Sequence, residues 1–467
     1  MRRWRGSRRA VAWRCSRLDV AGPWLIGRFG KRGAVVKVLL VTHGSWGDVQ
    51  PFVALARGLM GAGHEATLIG PCALSELVGP AGVPYVPVVD GPLELLRTDP
   101  VVIRANEDRR GLRGVVRGVR WFTRHRPHCR KVLEDLMTKV KGQPRPDVVV
   151  FAPWVPAHHF AEWLNVPAVP VCFQPGWVPT PDFVNPLASG RRLPSSMSRA
   201  SYALAELPVR LLYGSAVSRL RRESLGLSPR GSKRSILSRP DGTPATVLQA
   251  FDPCVLPGTP RYPPTTHTTG FWHLPTSGEW HMPTRLRAFL DAGPRPVYIG
   301  FGSATVSRPA HKSKAILAAV RQARVRAVIS SGWGRILTPE EEHGPDTESV
   351  FFIDQIPHDK LFPHMAAIVH HGSAGTTATA LRAGRPQVIC PFTFDQPFWG
   401  RSMHTIGVAP APLAQYRLTA GRLAEALLRA VNDRELAQRA EQFALRTADR
   451  DGVGNAVEVL EAVVKSF

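Results

Sequence analysis

The stretch Val369-His370-His371-Gly372-Ser373-Ala374-Gly375-Thr376-Thr377, followed by Phe394-Asp395-Gln396-Pro397, decides how the chain reads. An apolar run over residues 366–369 stops at two histidines and breaks into small residues, and helical spacing begins at Thr376. Such a turn aims free backbone N–H groups, the positive end of a helix dipole and His371 at one spot, which suits a diphosphate. Beyond the next apolar run, residues 387–390, Asp395 and Gln396 offer one carboxylate and one amide, a pair suited to sugar hydroxyls. Together the two segments point to a nucleotide-sugar site.

Working outward, the same strand–turn–helix unit recurs along the chain. Apolar runs at residues 35–41, 65–69, 84–88, 147–151 and 168–173 read as buried parallel strands, with helical spacing over 52–60 and 157–164. Residues 245–256 read as the last strand of this half, and the Pro- and Thr-rich stretch 257–281 reads as a linker. A second series opens at 295–300 and continues through 327–330, 350–353, 366–369 and 387–390, closing on helices at 420–431, 433–445 and 455–465. The expected fold is α/β: two doubly wound domains facing each other across a cleft. The expected boundaries are an N-terminal extension at 1–34, an acceptor-side domain at 35–256, the linker, a donor-side domain at 282–450, and a C-terminal helix at 451–467 that crosses back to the first domain.

At 467 residues the chain fits two domains of roughly 200 residues each. The net charge of +24 invites a nucleic-acid reading, but no nucleic-acid motif accompanies it, so no specific nucleic-acid partner is expected. Ten of the 60 Lys and Arg lie in residues 1–34 against the single acid Asp19, and a second basic cluster runs from Arg109 to Lys131. One reading of that cluster is a solvated basic surface. The other is a face for an anionic membrane that holds a lipophilic acceptor. No run approaches the roughly 18 apolar residues of a membrane span. The six cysteines are scattered without paired spacing and read as reduced, in a protein that is cytoplasmic or peripheral at the inner membrane face.

Other turns after apolar runs carry candidate chemistry. Thr42-His43-Gly44-Ser45-Trp46-Gly47-Asp48 follows the first strand, where open α/β sheets place ligands, and either Asp48 or His43 there is able to accept a proton. The alternative for Asp48 is helix capping. The small residues around Ser303 would let a phosphate reach the backbone, and Trp333 offers an indole to a flat base. The turn from Ile353 to His358 sits where its backbone could read a nucleobase edge. Trp154, Phe173 and Trp177 lie on Pro-rich loops and suit either a lipophilic acceptor pocket or packing of those loops.

The block over residues 353–400, IDQIPHDKLFPHMAAIVHHGSAGTTATALRAGRPQVICPFTFDQPFWG, resembles the donor-binding signature of the UDP-glycosyltransferase superfamily. It is most similar to the branch of sterol glucosyltransferases and bacterial natural-product glycosyltransferases, of glycopeptide and macrolide type. The turn GSWGDVQP at 44–51 matches that branch's opening motif, with Trp46 in place of the usual arginine. The resemblance implies the GT-B fold and an inverting transfer of a hexose from a nucleoside-diphosphate sugar, UDP-glucose-like or a dTDP-deoxysugar, to a hydroxyl of a lipophilic small molecule or lipid. It implies no cofactor and no metal; the one Asp-x-Asp, at Asp449 and Asp451, lies between helices near the C-terminus. By position it makes Asp48 the general base and puts His371, Ser373, Ala374, Gly375, Thr376 and Ser303 on the diphosphate. It puts Asp395 and Gln396 on the sugar, and Trp333, Ile356 and His358 at the base. Ser373 stands where glycine is commoner, and Gln355 where many members carry a stacking tryptophan. A catalytically inactive sugar-nucleotide-binding partner is the alternative from another class.

Overall fold

Strands buried on both faces are written as continuous branched apolar runs, and the chain supplies two sets of them. The computed structural model describes residues 34–107, 111–186, 197–276, 278, 280–302, 309–330 and 349–467. The first set is β1 (Lys37–Val41), β2 (Glu65–Pro71), β3 (Tyr85–Val88), β4 (Val148–Phe151), β5 (Ala168–Cys172), β6 (Val247–Gln249) and β7 (Thr266–Thr268). These pair in parallel in the order β3-β2-β1-β4-β5-β6-β7, with Val38 opposite Val148 and Leu40 opposite Val150 at the centre. The second set is β8 (Val297–Ile299), β9 (Ala327–Ser330), β10 (Val350–Ile353), β11 (Ile368–His370) and β12 (Gln387–Ile389), ordered β10-β9-β8-β11-β12. The chain divides into Met1–Val35 and Val36–Phe467, and both sheets belong to the latter. The expected extension lies, but for residue 34, outside the described residues, as do Ser303 and Trp333.

In each sheet the chain builds outward in one direction, then crosses back to build in the other. The reversal falls between β1 and β4 in the first sheet and between β8 and β11 in the second. The loops that leave those strands are where such sheets hold ligands.

The helices used below are α1 (Trp46–Gly61), α2 (Gly111–Lys141), α3 (His158–Leu164), α4 (Leu207–Glu223), α5 (Pro309–Ala323), α6 (Ala374–Arg382), α7 (Gln396–Thr405), α8 (Ala420–Asn432), α9 (Arg434–Thr447) and α10 (Gly452–Ser466). Spacing predicts a first helix over 52–60, but its cap lies further back, so α1 starts at Trp46 and carries Pro51 inside. It buries Val49, Phe52, Val53, Leu55 and Leu59 against the first sheet. A fully buried side chain of this size contributes roughly 1.5–3 kcal/mol.

The expected linker needs correction. Within 257–281, Thr266 pairs with Val247 and Thr268 with Gln249, adding β7 to the edge of the first sheet. Two β-branched threonines flank one histidine there, and a three-residue strand between prolines carries too little periodicity to read. Nor is 245–256 one strand: only Val247–Gln249 pairs, and Asp252 Oδ1 then caps a turn by accepting from the Cys254 N–H at 2.8 Å.

A mixed apolar cluster joins the halves. Phe251, Val255 and Leu256, leaving the first sheet, pack with Leu381, Ile389, Trp399, Met403 and Phe443 of the second half. The chain then returns. Asp451 accepts from the Gly454 N–H at 2.8 Å, so the one Asp-x-Asp starts α10. Ala456, Val457, Leu460 and Val463 of α10 are buried in the first core beside α1. Between those acids Arg450 donates through Nη1 to both oxygens of buried Asp252, at 2.6 and 2.7 Å. The five described cysteines form no disulfide, and among the described residues no helix is long and apolar enough to cross a membrane.

Arg450→Met should therefore lower stability by about 1–3 kcal/mol, less than for a fully buried pair because water reaches the arginine. Asp252→Asn keeps an acceptor for the Cys254 N–H. In the double variant the loss should be smaller than the sum of the singles, measured by denaturant unfolding; strict additivity would mean the pair contributes nothing.

Candidate active site

The loops of both reversals open on one cleft. Beyond β1 the chain turns at Gly44, whose φ of +136° suits glycine, and a Cβ there would lie 2.4 Å from Asp48 Oδ2. That space lets Asp48 fold back, so that its Oδ2 accepts from the Ser45 N–H at 2.7 Å and the Ser45 hydroxyl at 2.9 Å. This is the reciprocal half of a capping box. Both bonds go to one oxygen; Oδ1 has no hydrogen bond among the described residues. Burial pushes the carboxyl up to about 6, against the pull of the Ser45 bonds. His43 is buried, its Nε2 bonded to the Val89 carbonyl at 3.1 Å, and burial lowers its pKa. The ring is thus a neutral anchor, and Asp48 is the acid that faces the cleft.

Across the cleft, buried His370 shapes the turn that follows β11. Its Nε2 meets Gln387 Oε1 at 2.8 Å and its Nδ1 accepts from the Gly372 N–H at 3.0 Å, which fixes the neutral tautomer. His371 then projects past Gly302, where a Cβ would lie 3.1 Å from its Cε1. His371 Nδ1 is buried without a partner, and burial, helped by the nearby His358, holds its pKa at about 4. Ser373 caps α6: its Oγ accepts from the Thr376 N–H at 3.4 Å and donates to Thr376 Oγ1 at 3.0 Å. The Ser373 hydroxyl is thus engaged within the turn, while Thr376 Oγ1 only accepts there and keeps its own O–H to donate. The N–H groups of Ala374 and Gly375, in the first turn, have no intrahelical acceptor.

Asp395 begins α7 and accepts from the buried Trp399 indole N–H at 2.9 Å. Burial raises it to about 6; Trp399 pulls it down, and the charge of Asp48 adds to the rise. The two sequence-predicted acids, one from each half, are thus near enough for the charge of one to be felt by the other. Gln396 Oε1 is taken by the N–H groups of Phe392 at 2.8 Å and Thr393 at 3.3 Å, so its amide nitrogen is the end left for a ligand. From the first half, Gln50 Oε1 comes within 3.9 Å of the point where Gly375 would carry a Cβ.

Other expected residues are engaged with their own neighbours. The His358 ring stacks on Phe362 at 4.4 Å, and its Nε2 meets the Tyr298 hydroxyl at 3.0 Å, which leaves the backbone of this turn as the part able to meet a base. Ile356 is half-buried beside the same apolar cluster. Phe173 and Trp177 are buried, Phe173 meeting Phe52 and Trp272 edge-on at 5.6 and 6.3 Å, while half-buried Trp154 lies with its ring 6.1 Å from that of Phe173. The Trp154 indole N–H donates to the His43 carbonyl at 2.6 Å. Sequence reasoning missed Gln50, His370 and Trp399 as parts of the site. Gln50 shares the quoted turn with Asp48 and was legible there; Trp399 follows Asp395 by four residues, the spacing of neighbours on one helical face.

Comparison with known proteins follows the same lines. Residues 335–463 match the family described as erythromycin biosynthesis protein CIII-like, C-terminal domain. A sterol 3-beta-glucosyltransferase of Arabidopsis thaliana is 31% identical over 436 residues, covering 91% of this chain and 65% of that protein. One from Neosartorya fischeri is 30% identical over 443 residues, covering 91% of this chain and 29% of that protein. The chain thus spans less than two thirds of the length of either. Among solved structures, the glycotransferase of kitacinnamycin superposes with a TM-score of 0.64 at 17% identity, over 92% of this chain and 100% of that one. That likeness shows the fold, GT-B.

Trp399→Phe keeps the ring in its apolar cluster and removes the indole donor to Asp395. Because Asp395 titrates above its unfolded value of 3.8, ionising it already costs stability as pH rises towards 6, and losing the donor adds to that cost. The variant should be less stable by about 1.5–3 kcal/mol at pH 8 and by less at pH 5, in urea titrations at both values. An equal loss at both would mean the indole does not support the charged form.

Proposed function

We propose, from the premise that this chain is a homologue of the sterol 3-beta-glucosyltransferases with an erythromycin biosynthesis protein CIII-like C-terminal domain on the GT-B fold, that it transfers a hexose to a hydroxyl of a lipophilic acceptor. The donor is a nucleoside-diphosphate sugar, UDP-glucose-like or a dTDP-deoxysugar, and the transfer inverts the anomeric carbon without a metal. The observation that carries this reading is the approach of the two halves here: Gln50, two residues after Asp48, comes within 3.9 Å of where Gly375 in the first turn of α6 would carry a Cβ, and the charge of Asp48 is felt at Asp395.

The chemistry follows from those atoms. A diphosphate at the start of α6 meets the N–H groups of Ala374 and Gly375, the helix dipole and the His371 ring. Asp395 and the amide of Gln396 receive the sugar hydroxyls. The acceptor hydroxyl lies against Asp48 Oδ1, which takes its proton as the acceptor oxygen bonds to the anomeric carbon and the diphosphate leaves. The charge developing on the leaving group is met by fixed dipoles. A base whose pKa lies near 6 is well matched to work at neutral pH, and such a base contributes roughly 10²–10⁴-fold.

Turnover should persist in EDTA. With Asp48→Asn it should fall by at least ~100-fold, while donor affinity stays close to wild type. In the wild type kcat/KM should rise with pH through an apparent pKa near 6, because Asp48 acts only when ionised. Since the folded state holds this carboxyl above 3.8, its ionisation opposes folding between those values, so the variant should melt no lower at pH 7.5. Wild-type turnover in the variant would make Asp48 a cap alone.

One observation favours a membrane lipid as acceptor. Val116 and Val119 stand 47% and 59% exposed on α2, beside the basic Arg117, Arg120 and Arg124. An apolar pair among arginines suits an anionic bilayer. Co-sedimentation with vesicles of phosphatidylglycerol should exceed that with phosphatidylcholine and weaken in the double variant Val116→Ser with Val119→Ser; equal retention by both lipids would remove this reading.

A further inference from the structure

The helices α1 and α6 touch across the cleft. Ala374, the first residue of α6, packs against both the core of the first half and the apolar cluster that joins the halves, which fixes this turn in place. Gly375 follows it. A Cβ built at Gly375 would meet, within 4 Å and among the described residues, only Gln50 Oε1 at 3.9 Å. The start of α6 is therefore open on that side but for the carboxamide of Gln50, which comes from the other half.

That carboxamide is half-buried and makes no hydrogen bond among the described residues. It stands beside the free N–H groups of Ala374 and Gly375 without accepting from either. Residues two apart on a helix point to different sides, so Gln50 reaches α6 while Asp48, two residues earlier, turns back over Gly44 onto Ser45. The kind of side chain matters as well. Asp48 and Asp395 already bring two carboxyls to this part of the cleft. An amide adds donor N–H groups there without adding a third acid that would repel an anion.

We propose that Gln50 is a donor-binding residue supplied by the acceptor half: its amide N–H donates to the diphosphate of the nucleotide sugar at the start of α6. A half-turn about its last side-chain bond exchanges Oε1 for Nε2, and the amide then converges with the N–H groups of Ala374 and Gly375 on one acceptor. The inference rests on the reading of α6 as the diphosphate site. It adds that the diphosphate is held from both halves, so the helix that carries Asp48 is tied to the donor whenever the donor is bound.

The test titrates UDP and dTDP calorimetrically into the full chain. The wild type should bind at least one of them. Gln50→Leu keeps much of the bulk and removes the donor, and should weaken that binding roughly tenfold or more, the scale of one hydrogen bond to a charged group. Gln50→Glu, of the same shape, sets a carboxylate against the phosphates and should weaken binding further; it keeps the test intact should Gln50→Leu fail to fold. Because the amide has no partner to lose, both variants should melt near the wild-type temperature without ligand. Variants that bind the diphosphate as tightly as the wild type overturn the role of Gln50 and leave the functional reading standing. A loss in Gln50→Leu that is absent in Gln50→Glu would make the side chain a packing element, and overturns the role equally. A wild type that binds neither diphosphate overturns the reading of α6, and this inference with it.

Discussion

The side chain of Asp48 turns back over Gly44 to rest one oxygen on Ser45, and the room for that turn exists because residue 44 has no Cβ. One interaction therefore starts α1, takes a carboxyl out of water and leaves its second oxygen towards the cleft. Burial alone would make such a group a liability. Here the two Ser45 donors limit the rise, and the pKa settles near 6 rather than climbing far above neutrality. Capping and proton acceptance are usually weighed as rival explanations of an acid at a helix start. At Asp48 the cap uses one oxygen, Oδ2, and in the proposed reaction the other is the one that accepts the proton.

The same economy runs through the second half. His370 ties the Gly372 turn to Gln387, Ser373 closes the start of α6 on Thr376, and Trp399 holds Asp395 from within the apolar cluster shared by the two halves. The Gly372 turn and Asp395 each rest on a buried neighbour, His370 and Trp399, through a directed hydrogen bond. This support matters more than the ligand-facing atoms for precision, because a directed bond to a packed side chain restricts rotation. The return of α10 onto α1, with Arg450 held by Asp252 at the crossing, links the helix that carries Asp48 to the C-terminal end of the donor half.

Much of the architecture was legible because parallel strands buried on both faces announce themselves: residues 148–151 are Val-Val-Val-Phe and are buried throughout. β7 was not, since Thr-His-Thr between prolines has neither length nor alternation, and its pairing is decided by the neighbouring edge of β6. Asp48, His371 and Asp395 were legible as a group from the turns that hold them. Their mutual placement was not, because it depends on how two sheets face each other. Phe173 shows the opposite limit: an aromatic on a Pro-rich loop looks the same in sequence whether it lines a pocket or fills a core, and here its ring packs edge-on against Phe52 and Trp272. The place of the His358 ring was not legible for a similar reason, since nothing local to it announces that Tyr298, sixty residues earlier, will meet its ring nitrogen.

The central claim is that one carboxyl from each half meets across the cleft. It is tested most directly by titrating ¹³C-carboxyl-labelled aspartate by NMR and following Asp395 in the wild type and in Asp48→Asn. In the wild type Asp395 should titrate near 6, and in the variant measurably lower, because removing the Asp48 charge removes part of what raises it. An Asp395 titration that does not move, or one near 3.8 in both proteins, would contradict the account.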